Sequence, residues 1–220
     1  YTYFNLVLGA FVIPFNLLAV LLLINSFNYF DGMDGTLSCT SISVLIILFF
    51  LIPDENFKFF IIITLIPILI FLLFNFSILK LPKLFLGDGG SLLLGFIIAF
   101  ILMHLASKNL THPILLAWSI TIFVFEFLSI NLIRLKNKKN PFIAGQDHLH
   151  HILFDKTKSI FITNSLIILI NFFLFVSGYI CFANFGSLSS LILYIITFFI
   201  YLIFRNKYSK KEIKIKIIKK

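Results

Sequence analysis

Apolar residues run through this chain in blocks of spanning length, about 20 residues each, at 4–26, 36–53, 57–79, 89–107, 113–134, 159–183 and 187–204, separated by short polar segments. The pattern predicts an all-α, polytopic transmembrane helix bundle of about seven spans. Pro67 falls inside the third block and Pro14 inside the first. A kink is expected at each, because proline frees a carbonyl that neighbouring helices must satisfy. Pro113 suits the first turn of its helix, where a missing N–H costs nothing, so that boundary is sharp. The organisation expected is a transmembrane catalytic domain over 1–204, with a loop at 135–158, and a basic tail over 205–220. The chain enters an apolar block within a few residues of Tyr1, without Met or a basic leader; this reads as the C-terminal part of a longer protein.

Composition agrees with the pattern. With 60% hydrophobic residues, 12% charged residues and a mean hydropathy of +1.07, an ordinary soluble domain is excluded. The formal charge of +9 reads as membrane topology rather than nucleic-acid binding. Placing the 27–35, 80–88, 135–158 and 205–220 segments on the cytoplasmic face gathers 16 of the 18 Lys and Arg there, Arg134 included, and leaves only Lys58 and Lys108 outside. That asymmetry follows the positive-inside rule. The tail alternates Lys with Ile and is expected to lie along the anionic inner leaflet or to be disordered. The two cysteines, Cys39 and Cys181, fall at opposite ends of their helices, beyond disulfide reach.

All three polar constellations then land on one face. The first, N-x-x-N-x-x-D-G-x-D-G over 25–35, puts Asn25, Asn28 and Asp31 on one broad helical face and Asp34 opposite. The helix must stop or bend there, and positive-φ freedom at Gly32 and Gly35 would let Asp31 and Asp34 turn toward one pocket. The ordinary alternative is a polar helix end with a glycine cap. In the second, Pro82 to Ser91, glycines flank Asp88 just before a helix. Free N–H groups at a helix start favour anions, whereas Asp88 repels them. A Mg²⁺ ion held by one or two carboxylates plus phosphate oxygens resolves the conflict; the alternative is a tight turn capped by Ser91. The third, ending in His148-Leu149-His150-His151, fits a phosphate-facing imidazole pair better than zinc, since no Cys or H-E-x-x-H partner is near. If helical, it would place His148 and His151 on one face. Glu126 lies inside an apolar block, where a carboxylate should face the bundle and pair with a basic side chain.

These residues resemble the polyprenyl-phosphate N-acetylhexosamine-1-phosphate transferases, glycosyltransferase family 4. The resemblance covers essentially the whole chain and is specific at 25–35, at Phe85 to Ser91, and at the histidine motif preceded by Pro141-Phe142. That last motif is similar to the N-acetylglucosamine-1-phosphate branch. The resemblance implies an Mg²⁺-dependent (or Mn²⁺-dependent) transfer of N-acetylhexosamine 1-phosphate, specifically GlcNAc-1-phosphate, from a UDP-sugar to undecaprenyl phosphate, with UMP released. It would begin a cell-envelope glycan, such as O-antigen, at the cytoplasmic face of a bacterial inner membrane. It implies Asp31, Asp34 and Asp88 as catalytic carboxylates, with Asp88 and Asp31 on the metal. Asn25, Asn28, Asn75, Lys83, Phe85, Arg134, His148, His150 and His151 would bind substrate, Phe85 by stacking on uracil. A homodimer is compatible with this reading, and nucleic acid has no part in it. Glu126 stands where the family usually has Asp, Gly145-Gln146 stands where Asp-Arg is more frequent, and the family's upstream acidic pair is absent.

Other readings meet specific obstacles. A phospho-N-acetylmuramoyl-pentapeptide transferase usually carries three consecutive histidines. A cation-coupled transporter would gather its polar residues near the midplane, not at one face. A CDP-alcohol phosphatidyltransferase would show D-G-x-x-A-R. An inactive membrane scaffold is the remaining alternative.

Overall fold

A computed structural model describes residues 11–138, 140, 145 and 148–218, with the side chains of Val12 and of 209–218 excepted. Among the described residues every regular element is helical: α1 (Val12–Asn28), α2 (Thr36–Leu51), α3 (Glu55–Asn75), α4 (Gly87–Ser107), α5 (Pro113–Ser119), α6 (Thr121–Lys136), α7 (Leu149–Thr157) and α8 (Ile160–Ile218). The chain is an all-α membrane helix bundle. By length and apolarity three described helices can each cross a bilayer, or four if the bent pair α5–α6 counts as one, while α1 and α2 are shorter apolar helices. Helices α1, α2, α3, α4, the α5–α6 pair and the two limbs of α8 on either side of Gly186 fall on the seven apolar blocks of the sequence.

The α8 helix departs most from a rod. Gly186 interrupts it with φ 82° and ψ −179°, a backbone region open essentially to glycine alone. Lys156, just before α8, hydrogen-bonds Tyr208 near its far end at 2.7 Å. About fifty residues of straight helix would separate those ends by roughly 75 Å. The chain therefore folds back at Gly186 into two limbs, matching the apolar blocks at 159–183 and 187–204. Ser190 Oγ ties them by donating to the Gly178 carbonyl at 3.1 Å and accepting from Trp118 Nε1 at 2.9 Å.

The block at 113–134 is not one helix. The axis turns by 74° between α5 and α6. Ser119 bonds back to the Leu116 carbonyl, Thr121 bonds back to Ala117 and Trp118, and Asn171 on α8 donates to the Ser119 carbonyl at 3.3 Å. Hydroxyls that bond back to their own helix compete with its ladder and bend it. The start of α5 is as expected, with Pro113 in its first turn and His112 capping it. The third block also holds: α3 runs through Pro67 and is capped by Asp54. Pro14 stands in the first turn of the described α1.

At the centre lies α2, whose Ser38, Thr40, Ser41 and Ser43 are buried. Thr40 and Ser41 bond to carbonyls one turn back and Ser43 to Thr40, so small hydroxyls pack in the bundle without leaving polar atoms exposed to hydrocarbon. Helix α1 packs closely on α4. A Cβ at Gly95 would sit 2.9 Å from the Ile24 Cα. Large apolar side chains such as Ile62, Ile66, Leu69 and Ile70 point outward from α3, as on a surface facing lipid. The expected tail 205–220 continues α8 as helix to Ile218. Cys39 and Cys181 are free thiols.

Replacing Gly186 with alanine forces an L side chain into a region it avoids, at a cost of about 1–3 kcal/mol. The expected result is a lower thermal midpoint in detergent, read by tryptophan fluorescence of Trp118; an unchanged midpoint would remove the reversal from this account.

Candidate functional site

The three polar constellations meet at one end of the bundle. The α1 helix ends at Asn28, two residues past its apolar block, so Asp31 and Asp34 both lie in the turn that follows rather than on the helix. Gly35 has a φ of 68° and opens α2. Gly32 is absent from the positive-φ glycines, so its role is room rather than freedom. A Cβ there would lie 2.5 Å from His150 Nε2 and 3.4 Å from His151 Nε2. The carboxylate turn and the histidine motif are thus packed backbone against imidazole.

Asn75 joins this turn to the second constellation. Its side-chain oxygen accepts from the Gly35 N–H at 2.7 Å, and its NH₂ donates to the Leu84 carbonyl at 2.8 Å. The residue is buried and acts as a bridge between backbones. Asn28 accepts from Ser91 Oγ at 2.8 Å, which ties the end of α1 to the start of α4. Asn25 takes no part in this convergence: it is exposed and donates to the Leu21 carbonyl of its own helix at 2.7 Å.

The α4 helix starts at Gly87, two residues before its expected start, so Asp88 sits in its first turn and Ser91 lies inside the helix rather than capping it. A carboxylate in that turn is favoured by the helix dipole. Asp31 is close enough to feel Asp88: burial first, and then the Asp88 charge, push its carboxyl above the usual range, while a hydrogen bond with the Gly87 backbone opposes them. Asp34 pairs with Lys83 at 2.6 Å, and the Lys83 ammonium stands 5.2 Å from the Phe85 ring centre. Phe85 is 73% exposed, leaving its ring face open to a flat ligand.

The histidines differ from their expected helical arrangement. The α7 helix begins at Leu149 with His148 as its cap residue. The His148 and His150 rings are parallel at 5.5 Å, and His150 and His151 lie 4.3 Å apart. His148 and His150 are buried, and only His151 is partly open. Burial, and after it the charges of His151, His148 and Arg205, hold His150 well below the ordinary imidazole range, so it is neutral near pH 7. Arg134 is buried and lies 5.9 Å from the Tyr29 ring, whose edge meets His148 at 5.0 Å. Arg134 and Tyr29 thus back the His148 end of the motif. Pro141, Phe142, Gln146 and Asp147 lie outside the described residues.

Glu126 faces the bundle and pairs with a cation, as expected, but that cation is Arg205, with Nε on Oε2 and a terminal nitrogen on Oε1, each at 2.9 Å. Sequence reading had assigned Arg205 to the tail. It also missed Asn164, which donates to the Asp34 carbonyl at 2.9 Å and accepts from Thr36 Oγ1 at 2.8 Å. The available signal was an amide inside an otherwise apolar block, which membrane segments seldom carry without use.

The first 106 residues match a family model described as glycosyl transferase family 4. The chain is similar to this family over that stretch, 106 of its 220 residues. It is 34% identical over 158 residues to an undecaprenyl-phosphate alpha-N-acetylglucosaminyl 1-phosphate transferase of Yersinia pestis, covering 68% of this chain and 42% of that protein. The protein of the same name in Escherichia coli K12 is 32% identical over 156 residues, with the same coverage. That of Haemophilus influenzae is 32% identical over 127 residues, covering 54% of this chain and 35% of the relative. The chain therefore spans about two fifths of the length of the curated relatives it matches most extensively. No solved structure matches it. Two of the three motifs, those at 25–35 and 85–91, lie inside the matched region.

Gly32→Ala would press a methyl group into a buried imidazole that has little room to yield. The expected outcome is a loss of about 1–3 kcal/mol of stability, measured as a fall in the detergent thermal midpoint; a neutral substitution would contradict the packing of the turn on His150.

Proposed function

We propose that the protein of which this chain is part transfers N-acetylglucosamine 1-phosphate from its UDP-linked donor to undecaprenyl phosphate at the cytoplasmic face of a bacterial inner membrane. The observation that carries this reading is the meeting of Asp31 with Asp88 and Gly87 beside the Asp34–Lys83 pair. It lies at the end of an apolar bundle, where a soluble nucleotide and a membrane-held isoprenoid can both arrive. The names of the relatives support the sugar and the lipid. The positive-inside distribution supports the cytoplasmic face.

In this reaction an oxygen of the lipid phosphate attacks the β-phosphorus of the UDP-sugar. The bond from that phosphorus to the bridging oxygen breaks, UMP leaves, and the sugar 1-phosphate remains on the lipid as a diphosphate. Among the described residues no group of three or more His, Cys, Asp or Glu could hold a metal ion. Two carboxylates, Asp31 and Asp88, nevertheless fit Mg²⁺ or Mn²⁺ of the kind that takes its remaining ligands from water and substrate phosphates. Bound there, the ion would supply charge neutralisation of the diphosphate. Asp34 keeps the Lys83 ammonium at the mouth of the site, where it can meet a phosphate oxygen. Phe85 offers its ring to uracil, and His151 is the imidazole open to the sugar or diphosphate, with His148 and His150 beneath it. Such chemistry depends mainly on positioning and electrostatics, which a packed helix end can provide.

Two outcomes are expected for the full-length protein in detergent with undecaprenyl phosphate. UDP-N-acetylglucosamine with Mg²⁺ should give lipid-linked product, and Asp88→Asn should lower the rate by about 100-fold or more while the thermal midpoint is retained. Product from the UDP-muramoyl-pentapeptide donor alone, or full activity in the variant, would overturn the assignment.

A further inference from the structure

The histidine helix is anchored from outside the motif. Helix α7 has no side-chain cap of its own at His148. Its first N–H, that of Leu149, donates instead to Glu126 Oε1 of α6 at 2.6 Å. The same carboxylate accepts from Tyr201 Oη at 2.5 Å and takes both Arg205 contacts, all from the second limb of α8. Glu126 is 1% exposed and Arg205 3%.

A carboxylate at a helix N-terminus serves as a cap and meets the positive end of the helix dipole. One that is buried needs a counter-charge and filled lone pairs. Each requirement is met by a different element: α7 supplies the N–H, and the second limb of α8 supplies the phenol and the guanidinium. We infer that Glu126 and Arg205 are positioning residues, a buried clasp by which the C-terminal limb of α8 sets the position of His150 and His151 against the Asp31–Gly32 turn. The clasp makes the end of α8 part of the site's frame.

The inference rests on the proposed reaction only for its kinetic readout. In the full-length protein, Glu126→Gln keeps the shape but replaces an acceptor with an NH₂ that faces other donors, and Arg205 loses its carboxylate. Amide hydrogen exchange over 149–157 should then quicken by about tenfold or more, with α1 and α4 unchanged. The KM for UDP-N-acetylglucosamine should rise about tenfold, while that for undecaprenyl phosphate stays within about twofold. Glu126→Asp, which keeps the charge and shortens the reach, should fall between. The double variant Glu126→Gln with Arg205→Met should be no worse than Glu126→Gln alone, since the pair acts as a unit and the second change removes the unpaired guanidinium.

Unchanged exchange in α7, or protection lost evenly across the bundle, would overturn the clasp. So would equal rises in both KM values. If the unsubstituted protein transfers no sugar phosphate, the proposed reaction fails, and the exchange measurement still decides the clasp.

Discussion

Two carboxylates brought together at the end of an apolar bundle repel each other, and the site depends on Asp31 and Asp88 being held together regardless. Neither is fixed by its own helix alone. Asp31 lies past the end of α1 and Asp88 in the first turn of α4, so their approach depends on how those two helices dock. The docking is tight because Gly95 lets α4 reach the Ile24 backbone, and it is locked in register by Ser91 on Asn28. Asn75 then fixes the loops beyond both helices by bonding to one backbone atom of each. A pair of like charges maintained at such an expense of packing is the arrangement expected where a cation or a transferring phosphoryl group completes the balance.

The second condition is the low polarity around the helices. Buried polar groups must find partners, and here they find them across elements: Asn164 on the Asp34 carbonyl, Asn171 on Ser43 and Ser119, and Glu126 on α7 and α8. These bonds run from the bundle into the site. The same contacts that satisfy buried amides and carboxylates therefore also determine where the Asp31–Gly35 turn and the histidine helix sit. The cost is borne at His150, neutral and buried against Gly32.

Much of this was legible in the sequence because spacing and residue type constrain it strongly. The two motifs at 25–35 and 85–91 pointed to one face, Pro113 fixed a helix start, and Glu126 announced a buried ion pair. The features not legible are tertiary. The blocks at 159–183 and 187–204 already predicted two limbs, but which side chain Arg205 meets depends on how the second limb packs beside α6 and α7, which spacing does not specify. The break at Ile120 follows from hydroxyls flanking it and from Asn171, which lies 52 residues from the Ser119 carbonyl it bonds. Gly32 seemed to offer backbone freedom and instead offers space, a distinction visible only once His150 is placed beside it. Asn25 shares the motif's spacing with Asn28, but its amide bonds back to the Leu21 carbonyl of its own helix.

The central claim is that Asp31 and Asp88 form one cation-binding unit at the end of the bundle. Mn²⁺ binding to the full-length protein, followed by electron paramagnetic resonance with UDP-N-acetylglucosamine present, tests it directly. The account predicts that Asp31→Asn and Asp88→Asn each weaken Mn²⁺ affinity by about tenfold or more, with no further loss of comparable size when the two are combined. Mn²⁺ affinity unchanged by either substitution would contradict it.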